Sequence, residues 1–201
     1  MITICAASIL AFARNVVRES VAAQDALVRL QGIVTATGAK AGLSTKELTA
    51  FASSIQDTTR FADEAVMEAE ATLLRFGRIQ GETYRRALQA VVDIAAATGK
   101  DLQTVSLGIG KSLEIPGEAM RALAELGVKL SDSQQKVLDR LVASGQGVQA
   151  QAKLLQLLEG RYKGAAVAAG GALGGAFDQL KNFVSKLFGK ICEGALAGGA
   201  Q

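Results

Sequence analysis

Residues 57–77 read DTTRFADEAVMEAEATLLRFG, a stretch in which an apolar helical run begins beside an acidic residue and stops at a glycine. A carboxylate at Asp63 can accept the free backbone N–H groups of a first helical turn, which predicts an N-cap at this residue. Gly77 follows the run, at a position where helices commonly end. The stretch therefore predicts a helix over residues 63–76.

The same pattern, with an acidic residue at the start of a helix and a glycine at its end, repeats as far as residue 127. Asp101 is the predicted N-cap of a helix that begins at Leu102, and Gly99 and Gly127 occupy positions that suit a left-handed terminating residue. Residues 82–97 carry apolar side chains at three- and four-residue steps, which predicts an amphipathic helix. Its predicted polar face holds Arg85, Arg86, Gln89 and Asp93. Residues 57–127 are therefore predicted to belong to one folded helical unit.

Composition favours an all-α fold. Hydrophobic residues make up 49% of the 201 residues, while aromatic residues make up 4%, and the chain has no Trp and one Pro. Such a core is built from Ala, Leu and Val on closely approaching helices rather than on a sheet. The periodicity predicts a small domain of about six to eight short amphipathic helices. Its predicted core includes Leu73, Leu88, Val91, Leu123, Leu138 and Leu155.

Charge gives no sign of a nucleic-acid site. The chain carries 22 basic and 19 acidic residues, a net charge of +3, and these residues are spread along its length. A nucleic-acid binder normally clusters Lys and Arg on one element with aromatic residues between them. Sequence-specific nucleic-acid binding is therefore not expected.

Residues suited to metal or nucleophilic chemistry are sparse. The two cysteines, Cys5 and Cys192, lie near opposite ends, and the chain has no histidine. No metal site and no Ser-His or Cys-His catalytic relay is therefore expected. The sequence leaves open whether the cysteines form a disulfide or behave as small buried hydrophobes, and a reducing cytoplasm is the expected compartment.

Two patterns suggest chemistry at first sight. Residues 108–112 read GIGKS, and a Lys and a hydroxyl after glycine can hold phosphate and magnesium, but the earlier glycine of such a loop is replaced by Val105 and no apolar strand precedes it. Small residues on a tightly packed helix are the expected explanation, so no cofactor is predicted. Glu68 and Glu70 point apart on a helix, which disfavours a catalytic carboxylate pair. No catalytic residue and no enzyme activity is predicted.

The N-terminal part carries a heptad-like seam. Residues 1–13 are apolar, but Arg14 and Arg18 follow the run instead of preceding it, which disfavours a signal peptide. Two interpretations of the seam stay open, packing on its own domain and self-association. Its period near 3.5 favours a helix over residues 9–37 that extends away from the compact unit and associates with copies of itself. The seam comprises Ile9, Ala13, Val16, Ser20, Ala23, Leu27, Leu30 and Val34.

Capping boxes predict two further helix starts. Ser44 with Glu47 precedes a helix that runs to about residue 60, and Ser131 with Gln134 precedes another. The apolar side of the second is predicted to hold Val137, Leu138, Leu141 and Val142. A last amphipathic helix is predicted over residues 148–162, with an inner face of Val148, Ala152, Leu155, Leu158 and Tyr162.

The composition changes abruptly after residue 163. Residues 164–177 read GAAVAAGGALGGAF and carry no charge. Such a backbone bends easily, which favours a flexible or loosely helical linker. Its small-residue spacing would also suit close helix contact in lipid, although the run is shorter than a spanning helix. A short amphipathic helix that suits a membrane surface or a partner follows, with Phe177, Leu180, Val184, Leu187 and Phe188 on one side.

A resemblance adds a function to this fold. Over roughly residues 45–166 an ordered series of short pieces resembles the N-terminal conserved region of phage tail tape-measure proteins. The pieces are Ala71-Thr72-Leu73-Leu74-Arg75-Phe76-Gly77, Asp93-Ile94-Ala95-Ala96-Ala97-Thr98-Gly99, Gly110-Lys111-Ser112-Leu113 with Pro116, Leu126-Gly127-Val128 and Ala150-Gln151. The resemblance implies a non-enzymatic structural protein, a helical ruler in the lumen of the tail tube that takes part in tail length determination and tail assembly.

The resemblance also implies partners and a location. The implied partners are tail tube and tail assembly chaperone proteins, and the protein would pass from the host cytoplasm during assembly to the lumen of the virion tail. Because one continuous helix of this length would span at most about 300 Å, less than is usual in the family, a truncated or prophage-derived member is expected.

Three parts of the chain are predicted. Residues 1–42 form the N-terminal helix and its hinge, residues 43–163 form the compact unit, and residues 164–201 form the Gly/Ala-rich extension. The alternative function is that of a membrane-active helical protein, in which residues 164–188 act in envelope penetration or pore formation. Flotation with liposomes, compared between the full chain and a chain that ends at Tyr162, separates the two interpretations.

Overall fold

The computed structural model describes residues 21–37 and 42–170, and these ranges contain helices and turns but no strand. The predicted all-α fold is confirmed. Cys5, Cys192, and the predicted elements before residue 21 and after residue 170 lie outside the described residues. The helices are α1 (described over residues 21–36), α2 (Thr45–Thr58), α3 (Asp63–Leu73), α4 (Gly81–Thr98), α5 (Leu102–Glu114), a 3-10 helix (Pro116–Glu118), α6 (Ala119–Ala124), α7 (Asp132–Ala143), α8 (Gly147–Tyr162) and α9 (described over residues 165–170).

One apolar core joins these helices. Helix α3 packs on α2, α4 and α5, while α4 also packs on α8, and α7 packs on α8. All six predicted core residues are at most 1% exposed, which confirms that prediction: Leu73, Leu88, Val91, Leu123, Leu138 and Leu155.

Most predicted helix boundaries are confirmed. Ser44 and Ser131 both form capping boxes, and the Asp101 carboxylate accepts the Thr104 backbone N–H at 2.7 Å. Gly99 ends α4 with φ of 71° in the left-handed region, where glycine carries no steric penalty. These signals act within one helical turn, so they can be read from local sequence.

The predicted ends of α3 are wrong. Its N-cap is Ala62, and Asp63 lies in the first turn instead. The helix ends at Leu73, three residues before the predicted end, because the chain tightens into turns in which the N–H groups of Arg75 and Phe76 bond carbonyls three residues back. This early end places the Phe76 ring against α5.

Helix α1 folds back onto the compact unit. Leu30 is fully buried and Ala26 is 2% exposed in the common core, with Leu27 and Val34 packed against it. Arg29 also pairs with Glu68 of α3 at 3.2 Å. The prediction that residues 9–37 extend away is therefore wrong for residues 21–37.

Helices α4 and α8 run parallel and in register. The side chain of Gln151 bonds the Arg78 carbonyl, and Glu159 bonds Arg86, so both contacts join residues 73 positions apart. The Arg86 guanidinium donates to both Glu159 oxygens, at 2.7 and 2.9 Å, and holds the pKa of that carboxyl below its usual value. With this register, α8 packs along the length of α4 and extends the core on that side.

The predicted inner face of α8 is confirmed in part. Leu155 and Leu158 are buried as predicted, whereas Val148 is 72% exposed. Ala150, Gln151 and Leu154, which were not part of the predicted face, are also buried. On α7 only Leu138 of the predicted apolar side is fully buried, and Val137 and Val142 are 40% and 42% exposed.

Helix α5 carries a glycine that the packing requires. A Cβ atom at Gly108 would lie 2.8 Å from Leu126 Cδ1, and Leu126 is itself 2% exposed. We expect Gly108→Val to lower the free energy of unfolding by about 1–3 kcal/mol, because the core has no room for the added atoms. Urea unfolding measures the change. Gly160→Val is the matched control, since nothing lies within 4 Å of its Cβ position, and equal stability of the two variants would contradict the packing described.

Candidate functional site

The short pieces that carry the family resemblance meet around α5. Leu126 packs against Gly108, and the Phe76 ring lies so close to Gly110 that a Cβ atom there would overlap it. We call the contacts of Phe76, Leu126 and Gln151 with α5 the α5 junction. The three pieces that carry Phe76, Leu126 and Gln151 are far apart in sequence, and each of them contacts α5.

Gln151 closes the α5 junction from the side of α8. Its Nε2 donates to the Leu113 carbonyl at 2.9 Å and to the Arg78 carbonyl at 3.1 Å. The Leu113 carbonyl lies in the last turn of α5, where a helix has no internal donor for its C=O groups. Gln151 therefore satisfies a free helix end and fixes α8 relative to α5.

The GIGKS sequence lies inside α5. Gly108, Gly110 and Ser112 are buried, and the Ser112 hydroxyl donates to the Ile109 carbonyl at 2.8 Å. The backbone follows a regular helix, so its N–H groups do not form the open cradle of a phosphate-binding loop. The interpretation of these residues as a tightly packed helix is confirmed.

A second polar centre was missed by the sequence reasoning. Gln135 of α7 is 8% exposed, and its Nε2 donates to the carbonyls of Pro116 and Gly117 at 3.2 and 3.0 Å and to Asp139 Oδ1 at 2.8 Å. Its Oε1 accepts the Met120 backbone N–H at 3.0 Å. No local signal distinguishes Gln135 from the other polar residues of α7, because its backbone partners lie on the 3-10 helix and α6.

We expect Gln135→Ala to destabilise the protein by about 1–3 kcal/mol, because it leaves the Met120 N–H without its Gln135 acceptor in a largely buried place and removes the bonds to the Pro116 and Gly117 carbonyls. Thermal or urea unfolding measures the loss. Gln149→Ala, at an exposed position of α8, serves as the control and should stay within about 0.5 kcal/mol of the parent. A Gln135→Ala protein as stable as the control would show that these bonds contribute nothing net.

The most unusual polar residue is Glu70 of α3. Its side chain is fully buried, and in the described part of the chain neither carboxyl oxygen has a hydrogen-bond partner. Burial raises the pKa of Glu70 to about 9, so the group is a neutral acid at physiological pH. The neighbouring Glu68 faces outward to Arg29, which confirms that this acidic pair points apart.

The backbone around Glu70 ties three helices together. The Ser106 hydroxyl of α5 donates to the Ala69 carbonyl at 2.7 Å, and the Tyr84 hydroxyl of α4 donates to the Glu70 carbonyl at 2.9 Å. Burial, and then the charge of an ionised Glu70, raises the pKa of Tyr84. These groups are enclosed in the core, so they serve the contact between helices α3, α4 and α5.

The described residues contain neither a metal-binding cluster nor a membrane-spanning helix. Among residues 21–37 and 42–170, no group of three or more His, Cys, Asp or Glu side chains is arranged to hold a metal ion. None of the helices in the same ranges combines the length and apolar character needed to cross a bilayer. Residues 171–188, the main part of the predicted membrane-active segment, lie outside the described residues, so that alternative stays a prediction.

Comparison with known proteins identifies a family. A family model described as prophage tail length tape measure protein matches residues 2–138, more than half of the chain. The match includes the heptad-like seam from Ile9 to Val34, which the resemblance in the sequence did not cover. It ends before the Ala150-Gln151 piece. No curated protein and no solved structure matches. The chain therefore belongs to the prophage tail length tape measure protein family, whose members are structural proteins of phage tails.

Proposed function

We propose that the chain is a non-enzymatic component of a phage tail tape measure and acts in tail assembly and tail length determination. The observation that carries this proposal is the family match over residues 2–138. The contacts support it, since the polar side chains at the α5 junction and around Glu70 bond helix backbones inside the fold. They make a rigid unit that other tail components can recognise.

The geometry supports a role of this unit in assembly, with length set by other parts of the tape measure. The longest helix with both ends described, α4, has 18 residues and spans about 27 Å at 1.5 Å per residue. A ruler needs a length that grows with the number of residues, whereas a compact bundle of short helices keeps nearly the same size when a loop is lengthened. The helices described within residues 21–37 and 42–170 therefore act as an assembly module of the tape measure.

The proposed partners follow from this role. Tail tube subunits and tail assembly chaperones contact the module, first in the host cytoplasm and then in the lumen of the virion tail. The described ranges carry equal numbers of basic and acidic residues and several half-exposed valines. This mixed surface suits protein contacts better than sequence-specific nucleic-acid binding.

An insertion experiment tests the module. In a lysogen whose prophage encodes this chain, a short Gly/Ser insertion at the exposed turn at Gly145, between α7 and α8, is compared with the parent by electron microscopy of induced tails. The expected result is tails of parental length and number, because the insertion lengthens a loop and not a ruler. Tails that lengthen in proportion to the inserted residues would overturn the assignment of this region to assembly.

A further inference from the structure

Helix α9 is joined to the bundle through a break in the chain. Gly164 has φ of 84°, a conformation that L side chains rarely adopt, and it separates α8 from the helical residues 165–170. Ala166 is fully buried, but Val167 is 52% exposed and Ala168 is also exposed. The helix is therefore held by a few contacts on one face.

The first of these contacts is made by Asp93 of α4. Its side chain is buried, and Oδ1 accepts the Ala166 backbone N–H at 3.0 Å, while Oδ2 accepts from Gln89 Nε2 at 3.3 Å. A carboxylate at the start of a helix satisfies a free N–H group and interacts favourably with the helix dipole. Asp93 and Ala166 are 73 positions apart, the same separation as in the α4 and α8 contacts, so α9 continues that register beyond the break.

The second contact is made by Gly170 at the end of α2. A Cβ atom on this residue would lie 2.7 Å from both the Thr58 carbonyl oxygen and the Thr59 Cα. The obstructing atoms are backbone, which cannot turn aside as a side chain can. Close approach of α9 to α2 therefore requires glycine at this position.

We propose that residues 164–170 form a hinged strap that docks between α4 and α2 and releases as a unit, while the rest of the bundle stays folded. Gly164 is the hinge, Asp93 holds the first turn, and Gly170 fits the last turn against α2. When the strap is docked, Gly170 lies beside the end of α2. When the strap is released, Gly170 is tethered only through Gly164 and can move by up to about 20 Å.

Hydrogen exchange on the full-length protein tests the strap, with Gly170→Val as the main variant and Gly160→Val as its control. Gly160 also lies in a helix, and its Cβ position is open. We expect the amides of residues 165–170 to exchange at least tenfold faster in Gly170→Val, with unchanged exchange in α3, α4 and α5. Asp93→Ala, which removes the cap, should accelerate the same amides, and Asp93→Asn, which can still accept the Ala166 N–H, should restore most of the protection.

Two results would overturn the strap. Equal loss of protection in α9 and in α3 to α5 would show that α9 unfolds only together with the core. Unchanged protection of residues 165–170 in both Gly170→Val and Asp93→Ala would show that these two contacts do not hold the helix.

Discussion

Glu70→Gln is expected to raise the free energy of unfolding by about 3 kcal/mol at pH 7. The pKa of Glu70 rises from 4.5 to about 9 because burial removes the carboxyl from water. Between these values the unfolded chain is ionised while the folded protein must keep its proton, which costs about 1.4 kcal/mol for each pH unit above the unfolded pKa. Glutamine has nearly the same shape and carries no charge in either state.

The sign of the pH dependence follows from the raised pKa. Below the unfolded pKa of 4.5 both states are protonated, and the parent protein has its full stability. As the pH rises towards about 9 the unfolded state binds fewer protons than the folded state, so stability falls, and above that value it levels off. Tyr84, the titratable group on which the Glu70 charge acts, stays neutral over this window because burial raises its own pKa.

Urea unfolding of parent and variant between about pH 5 and about pH 8 measures this difference. The two proteins should converge at the acidic end and diverge steadily as the pH rises. Glu68→Gln is the control, because its exposed pair with Arg29 is worth at most about 1 kcal/mol. A difference in stability between the two proteins that stays constant from about pH 5 to about pH 8 would contradict a raised pKa of Glu70 in the folded state.

Leu30→Ala is expected to cost about 2–5 kcal/mol, because the side chain is fully buried in the common core and its loss leaves a cavity. Val28 lies two residues away, and its side chain is 58% exposed, so Val28→Ala should change the free energy of unfolding by less than about 0.5 kcal/mol. The comparison tests whether the seam residues of α1 pack against the core of their own chain or against another copy of the chain. Urea unfolding gives the stabilities, and sedimentation gives the association state.

One result would contradict the packing of α1 on its own domain. If Leu30→Ala matches Val28→Ala in stability but dissociates an oligomer of the parent protein, the seam joins separate copies of the chain. The heptad-like spacing would then have predicted self-association correctly, and the packing of α1 in the common core would be wrong.

Local signals in the sequence predicted the parts of the fold that depend on one helical turn. The capping boxes at Ser44 and Ser131, the cap at Asp101 and the left-handed Gly99 all lie where expected. Each signal requires only side chains and backbone groups within three or four residues of one another. The strongest core positions were also predictable, because several apolar residues agree on one helical face.

Features that depend on distant residues were not predictable in this way. Asp93 was predicted on a polar face, yet it is buried because its partner is a backbone N–H 73 positions later. Val148 was predicted inside, yet it is 72% exposed in the first turn of α8. Glu70 stands in an ordinary run of Ala and Glu, and only the packing of three helices shows that its carboxyl has no water and no partner.

The most direct test of the proposed function is to count and measure tails after deletion of the gene. A lysogen that lacks it is induced and complemented with the parent protein, with Leu123→Asp, which places a charge in the core, or with Val148→Asp, which changes an exposed residue. We predict few or no normal tails in the deletion strain and with Leu123→Asp, and tails of normal number and length with the parent and with Val148→Asp. Normal numbers of tails with a normal length distribution in the deletion strain would contradict a role in the tape measure.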